Sequence, residues 1–244
     1  ENLVLIGAID EKTGDITEIG QTIGKFPLEP QFARVLIASR YLNIQNEVSN
    51  IISVLTSGNW RTRPMDCLSR ADEAHKQFYS EHSCDLITIN NVMNSFVNSN
   101  CSKKYCDNHF LNYRVLTTAV NVKNQLLRLL TSAIEHDIIP SQISKMSTDK
   151  KIKFAFLSGF YQQIVHLTRN SGVYQVLNES TQVIIHTSAS FKEKNKLLLY
   201  LEFVLTSKNY IRTVSKVESS WLTLLYPAYF NSENMKLSDI KKHF

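Results

Sequence analysis

The stretch LYLEFVLTSKNYIRTVSKV, residues 199–217, decides the fold. Its two runs, LYLEFVLT (199–206) and NYIRTVSKV (209–217), are short, rich in β-branched and aromatic residues, and patterned with period two. Working upstream, VYQVL (173–177) and QVIIHT (182–187) repeat the pattern, with RNSG, NES and SFKEKNK as breaks. Four or five short strands in this space predict a small closed barrel of the oligonucleotide-binding (OB) type. A short amphipathic stretch, IKFAFLSGFY (152–161), and a polar connector, PSQISKMSTDKK (140–151), precede it.

Within the same stretch, Lys208, Tyr210 and Arg212 are spaced i, i+2 and i+4, which predicts one strand face carrying two cations around an aromatic ring. Such a face can hold phosphates while the ring stacks a base. An ordinary polar outer face over an apolar inner one satisfies the same pattern.

Before the connector the period becomes 3.6. PLEPQFARVLIASRYL places Phe32, Val35, Leu36 and Ser39 on one face, and NEVSNIISVL places Val48, Ile51, Ile52 and Leu55 behind an Asn46 suited to an N-cap. DLITINNVMNSFV offers Leu86, Ile89, Met93, Phe96 and Val97. FLNYRVLTTAVNVKNQLLRLL turns Leu116, Ala119, Val120, Leu126, Leu127 and Leu130 inward. A helical bundle over about residues 28–139 follows, after a hairpin-like opening that turns at Gly14 and Asp15. The loop SGNWRTRPMD sets Trp60 beside Arg61 and Arg63, either to contact a ligand or to anchor the loop.

Asp72-Glu73-Ala74-His75 spells a tetrad that handles magnesium and ATP in nucleic-acid motors, but there it must follow an apolar strand. Here it lies in a helical pattern, with Leu68, Ala71, His75 and Phe78 on one face and Asp72 and Lys76 spaced to pair on the other. No G-x-x-x-x-G-K-[ST] segment is present, so a stand-alone ATPase is excluded. Cys101, Cys106 and His109 in CSKKYCDNH lack the paired spacing and fourth ligand of a zinc site. No nucleophile elbow can be read, so no catalytic residue and no metal ligand is expected.

Apolar residues make up 43% and charged residues 20%, as in a soluble globular protein, and no run of about 18 apolar residues suggests a membrane span. The start, ENLVLIGAID, reads as the interior of a longer chain, and four irregularly spaced cysteines suit a reducing compartment. Net charge is +5, yet residues 150–244 carry 13 basic and 6 acidic side chains while residues 1–149 carry 14 and 16. The basic excess therefore belongs to the C-terminal part and suits a polyanion there.

Taken together, LIGAID…GDITEIGQTIGKFPLEPQFARVLIAS, EVSNIISVL, RP…ADEAHKQF, FLNYRVLTTAVNVKNQL and above all LEFVLTSKNYIRTVSKVESSWL with PAYF resemble the C-terminal half of DEAH-box RNA helicases. The likeness covers essentially the whole chain and is nearest the G-patch-activated members of spliceosome disassembly and ribosome biogenesis, with the splicing-release members of the family as close competitors. It implies a winged-helix remnant at 1–27, a helical ratchet domain at 28–144, an OB-fold domain at 145–231 and a tail at 232–244. ATP and magnesium would be bound only by RecA-like domains outside this chain, which itself would hold no cofactor and perform no hydrolysis.

The implied partners are single-stranded RNA, those RecA-like domains and G-patch activators, in the nucleus or nucleolus and away from membranes. The implied RNA contacts are Arg63, Arg114, Thr206, Ser207, Lys208, Tyr210 and Arg212, with Arg and Lys neutralising phosphates and hydroxyls bonding to them. A docking platform for activators and splicing factors is the alternative. Relatives carry a His-Pro-Ser-Ser-like turn where this chain reads HTSASF (186–191), Gly-Asp-His near its HSCDL (82–86), and Trp at Tyr105.

Overall fold

The computed structural model describes residues 2–80, 84–131, 143, 145–169, 172–177, 179–191 and 197–231. The expected tail at 232–244 and parts of the connector and of the 190–196 loop lie outside them. Six of the 13 basic residues of the C-terminal part lie there too, at 192–196 and 232–244.

The chain opens with a one-turn helix, α1 (Asn2–Leu5), and a tight turn in which Ile9 bridges Ile16 and Gly14 adopts φ +74°. Thr17 then starts α2 (Glu18–Ile23): its Oγ1 accepts from Gly20 N at 2.9 Å and donates to Gly7 O at 2.5 Å. That side chain satisfies a helix-end donor and ties it to the preceding turn.

The bundle comprises α3 (Pro30–Tyr41), α4 (Gln45–Ser57), α5 (Leu68–Lys76), α6 (Asp85–Asn98), α7 (Lys103–His109) and α8 (Tyr113–Thr131). Pro30 sits in the first turn of α3, where its missing N–H costs nothing. Three expectations fail here. α4 begins at Gln45 after an Ile44 N-cap, so Asn46 lies inside the helix. Val97 is exposed at the end of α6. Asp72 pairs with Arg63, and Lys76 instead takes Glu73, one turn back, at 2.6 Å.

Helix α9 (Thr148–Phe160) corrects the reading of IKFAFLSGFY as amphipathic: all nine residues from Ile152 to Phe160 are buried. Over that span it packs on α3, α6 and the barrel, so no face is left to solvent, while its first turn, residues 148–151, stays open. Gly159 permits this closeness, since a Cβ there would lie 2.3 Å from Gln31 O of α3.

Five strands, β1 (Ile164–Leu167), β2 (Val173–Val176), β3 (Gln182–Ile185), β4 (Leu197–Leu205) and β5 (Asn209–Lys216), close a barrel in the order β1-β2-β3-β5-β4. β1, in IVHL, is the strand absent from the four runs read in the sequence. β3 and β5 close the ring in parallel, and the other pairs are antiparallel. Ile211 and Val214 both join the barrel's inner cluster although they are three residues apart. Strict alternation would put them on opposite faces; Thr213 between them, at φ +54°, turns the strand over. Helices α10 (Ser219–Leu225) and α11 (Pro227–Asn231) end the described chain. The larger core cluster runs from Ile6 to Phe230 and includes Ile164, Leu177, Leu197 and Leu199, so one side of the barrel packs into the bundle core, while the barrel's interior forms a second cluster.

Candidate nucleic-acid interface

The bundle and the barrel face each other across a cleft of about 490 Å³. Its bundle wall is the loop after α4, which Gly58 ends at φ +126°, a conformation that suits glycine. The loop is pinned from three sides. Trp60 is buried edge-on against His75 (5.3 Å between ring centroids) and Phe78 (6.5 Å). Its carbonyl accepts from Asn112 N at 2.7 Å, and Arg61 bridges Leu111. Phe110 O accepts from Thr62 N at 2.9 Å and meets His75 Nε2 at 2.8 Å. Of the two readings of Trp60, the structure shows the anchor.

This anchoring aims two arginines at the cleft. The Arg61 guanidinium lies 4.1 Å over the Trp60 ring. Burial pulls its pKa down, with Tyr79 and Asp85 opposing, and it remains a cation. Arg63 lines the same wall but forks onto Asp72 with two 2.8 Å bonds, Nε to Oδ1 and Nη2 to Oδ2.

The barrel wall is built by β4, β5 and the turn after β3. Arg212 and Glu202 face each other across the β4–β5 ladder, and His186 stands beside them, with Arg212 Nη2 3.4 Å from His186 Nε2. Among the described residues Arg212 forms no ion pair, and its buried Nε has no hydrogen-bond partner. Glu202 Oε1 instead accepts from Thr213 Oγ1 at 2.9 Å.

Behind the cleft lies a polar joint that the sequence reading missed. Asp85, first residue of α6 and buried, accepts from Ser190 N (2.6 Å) and Ser190 Oγ (2.5 Å) on one oxygen and from Val214 N (2.8 Å) on the other. The turned-over backbone at Thr213 presents that Val214 N–H. Burial pushes the Asp85 carboxyl up, and the barrel donors oppose it. Cys84 Sγ and Ser215 Oγ approach to 3.0 Å, and Thr88 and Ser190 hydroxyls to 3.2 Å, extending the joint. The only local signal was an acid at a helix start, and its partners lie 105 and 129 residues away.

The residues expected to contact RNA divide into three groups. Arg63 and Arg212 line the cleft. Thr206, Ser207 and Lys208 form the exposed β4–β5 turn, where Thr206 N and Oγ1 both bond Lys208 O. Lys208 precedes β5, so the strand face is shared by Tyr210 and Arg212 alone, with Tyr210 edge-on to His186 at 5.3 Å. Arg114 is exposed in the first turn of α8, next to the Asn112 that holds the Trp60 loop. Arg61 and His186 join the site without having been singled out as contacts.

Near Cys101 and Cys106, His109 stacks on Tyr105 at 4.0 Å and meets its carbonyl at 2.8 Å. Burial pushes the Cys106 thiol up to about 11. Among the described residues no group of three or more His, Cys, Asp or Glu side chains is placed to hold a metal ion, and no helix is long and apolar enough to cross a membrane.

Two family models match the chain. A helicase-associated winged-helix model (HA2) matches residues 1–28, and an oligonucleotide/oligosaccharide-binding (OB) fold model matches residues 152–229. Over 245 aligned residues the chain is 30% identical to the pre-mRNA-splicing factor ATP-dependent RNA helicase prp22 of Schizosaccharomyces pombe. The alignment takes in all of this chain and 20% of that protein, so the chain spans about a fifth of the relative's length.

Proposed function

The chain belongs to the C-terminal accessory region of the DEAH-box RNA helicases, and from that premise we propose that it guides single-stranded RNA by its backbone without performing bond chemistry itself. The observation that carries this reading is the cleft between bundle and barrel, with Arg61, Arg63, Arg212 and His186 on its walls. Clustered N–H donors that meet phosphates, with no base-reading pattern, suit a strand that must slide regardless of sequence. The exposed Thr206–Lys208 turn and Arg114 extend the track, and Tyr210 supplies a ring for stacking.

In this reading the whole protein is an ATP-dependent helicase of pre-mRNA splicing, working in the nucleus. ATP and magnesium sit in RecA-like domains beyond this chain, whose closure moves the strand through the track. G-patch activators are its protein partners, touching this chain weakly at residues 1–28.

Fluorescence anisotropy of a labelled single-stranded RNA, titrated with this chain at low and moderate salt, tests the reading. Binding should weaken steeply with salt and weaken further in the Lys208→Ala/Arg212→Ala double variant. Absent or salt-insensitive binding would overturn it. A tight, salt-tolerant complex with a G-patch peptide in that case would make the chain a docking platform.

A further inference from the structure

The turn after β3 fixes where His186 carries its proton. Ser188 N, a backbone donor with no alternative role, points at His186 Nδ1 at 3.1 Å, and Ser188 Oγ lies 2.8 Å from the same nitrogen. Nδ1 must therefore accept, and the neutral ring bears its hydrogen on Nε2. The 3.4 Å approach of Arg212 Nη2 to His186 Nε2 is then no hydrogen bond. Among the described residues, two N–H donors stand side by side on the cleft wall with no acceptor between them.

The acids that line the cleft do not relieve this. Both oxygens of Asp85 are held by Ser190 and Val214, Glu202 Oε1 accepts from Thr213, and among the described residues neither carboxylate forms an ion pair with Arg212. Arg212 also keeps a buried Nε without a hydrogen-bond partner. Paired donors without an acceptor on a part-buried cleft wall are poised for an oxyanion brought from outside.

We propose that His186 Nε2–H and Arg212 form a two-pronged seat for one phosphate oxygen, and that its occupant is a phosphodiester of a single-stranded nucleic acid. The proposal rests on the RNA-guiding reading and adds His186 as a binding residue. It assigns the imidazole a neutral donor role: full protonation would set an N–H against the Ser188 backbone N–H. Burial first, and Arg212 next, depress the His186 pKa against the pull of Glu202, in keeping with that role.

Two substitutions separate the ring's two edges. His186→Asn keeps an acceptor where Nδ1 was, so the Ser188 turn survives, but it removes the far donor. His186→Gln places an amide N–H near the position of Nε2. Oligouridine affinity should fall about tenfold for His186→Asn and less than about threefold for His186→Gln, as loss of one hydrogen bond implies. Arg212→Gln should lower the salt slope by about one. In long-range proton–nitrogen spectra of this chain the free His186 ring should show a protonated Nε2, and oligouridine should shift that signal.

RNA binding that leaves His186 Nε2 unmoved, with Asn and Gln variants alike, would overturn the seat and leave the RNA reading standing. No RNA binding at all would overturn the reading. Inorganic phosphate is the second probe in that event: a shift of Nε2 would support an oxyanion seat filled from another source, and no shift would overturn the seat as well.

Discussion

Asp85 joins two parts of the chain through three donors, and its removal should be among the costlier single changes. Asp85→Ala leaves two backbone N–H groups without acceptors in a buried site and frees the Ser190 hydroxyl, an expected loss of about 3 kcal/mol in urea unfolding. Asp85→Asn keeps the Ser190 contacts but turns an amide toward Val214 N, and should cost about half as much. His75 supplies a pH test. Its pKa is depressed chiefly by burial, with Arg61 and Arg63 adding to this and the Phe110 carbonyl and Asp72 opposing. The unfolded chain thus takes up this proton more readily. The related stability is complete above the ordinary value of 6.5 and is lost as pH falls below it toward the folded value, by at most about 1.4 kcal/mol per pH unit. A His75→Gln variant should show a flatter stability profile over that window. Arg212 was legible as a candidate because strand spacing announces it. His186 and Asp85 were not, because what makes them functional is a neighbour supplied by another element.

Elements were legible wherever one periodicity ruled. Helices α3, α4, α5, α6 and α8 and four of the five strands follow from it, whereas α7 was not read as a helix and β1 is a four-residue apolar run with no alternation to mark it. Helix α9 hid its all-round burial because Lys153 and Ser158 looked like a polar face, and both are buried. Gly159→Ala should test how closely α9 approaches α3. A methyl at 2.3 Å from Gln31 O and 2.7 Å from Val35 Cγ2 must push two helices apart, an expected loss of about 2–3 kcal/mol in thermal or urea unfolding. β5 offers the opposite case. Thr213→Gly relieves a left-handed β-branched residue but loses the bond to Glu202, so the two effects of about 1 kcal/mol each should nearly cancel. Thr213→Val keeps the strain and loses the bond, and should destabilise by about 1 kcal/mol.

At the scale of the whole molecule, the bundle's apolar cluster extends into one side of the barrel, so the two parts should unfold together although the barrel interior is a cluster of its own. The chain carries its own probes: Trp60 lies in the bundle, while Trp221 of α10 packs edge-on against Phe154 at 6.0 Å. Single-tryptophan variants, Trp60→Phe and Trp221→Phe, should give coincident fluorescence midpoints in urea. Separate midpoints would show that the shared core does not couple them. The charge split was readable from sequence as a tendency. The cleft was not, since its arginines come from two segments about 150 residues apart and only packing brings them face to face. Helix α9 carries a mechanical corollary. A rod gripped on every side cannot bow or slip without displacing its neighbours, so its compliance is set by the close-packed interior and not by its own bending. A load applied at the barrel therefore reaches the α3 end of the molecule with little lost to deformation on the way, as through a drive shaft in a tight bearing.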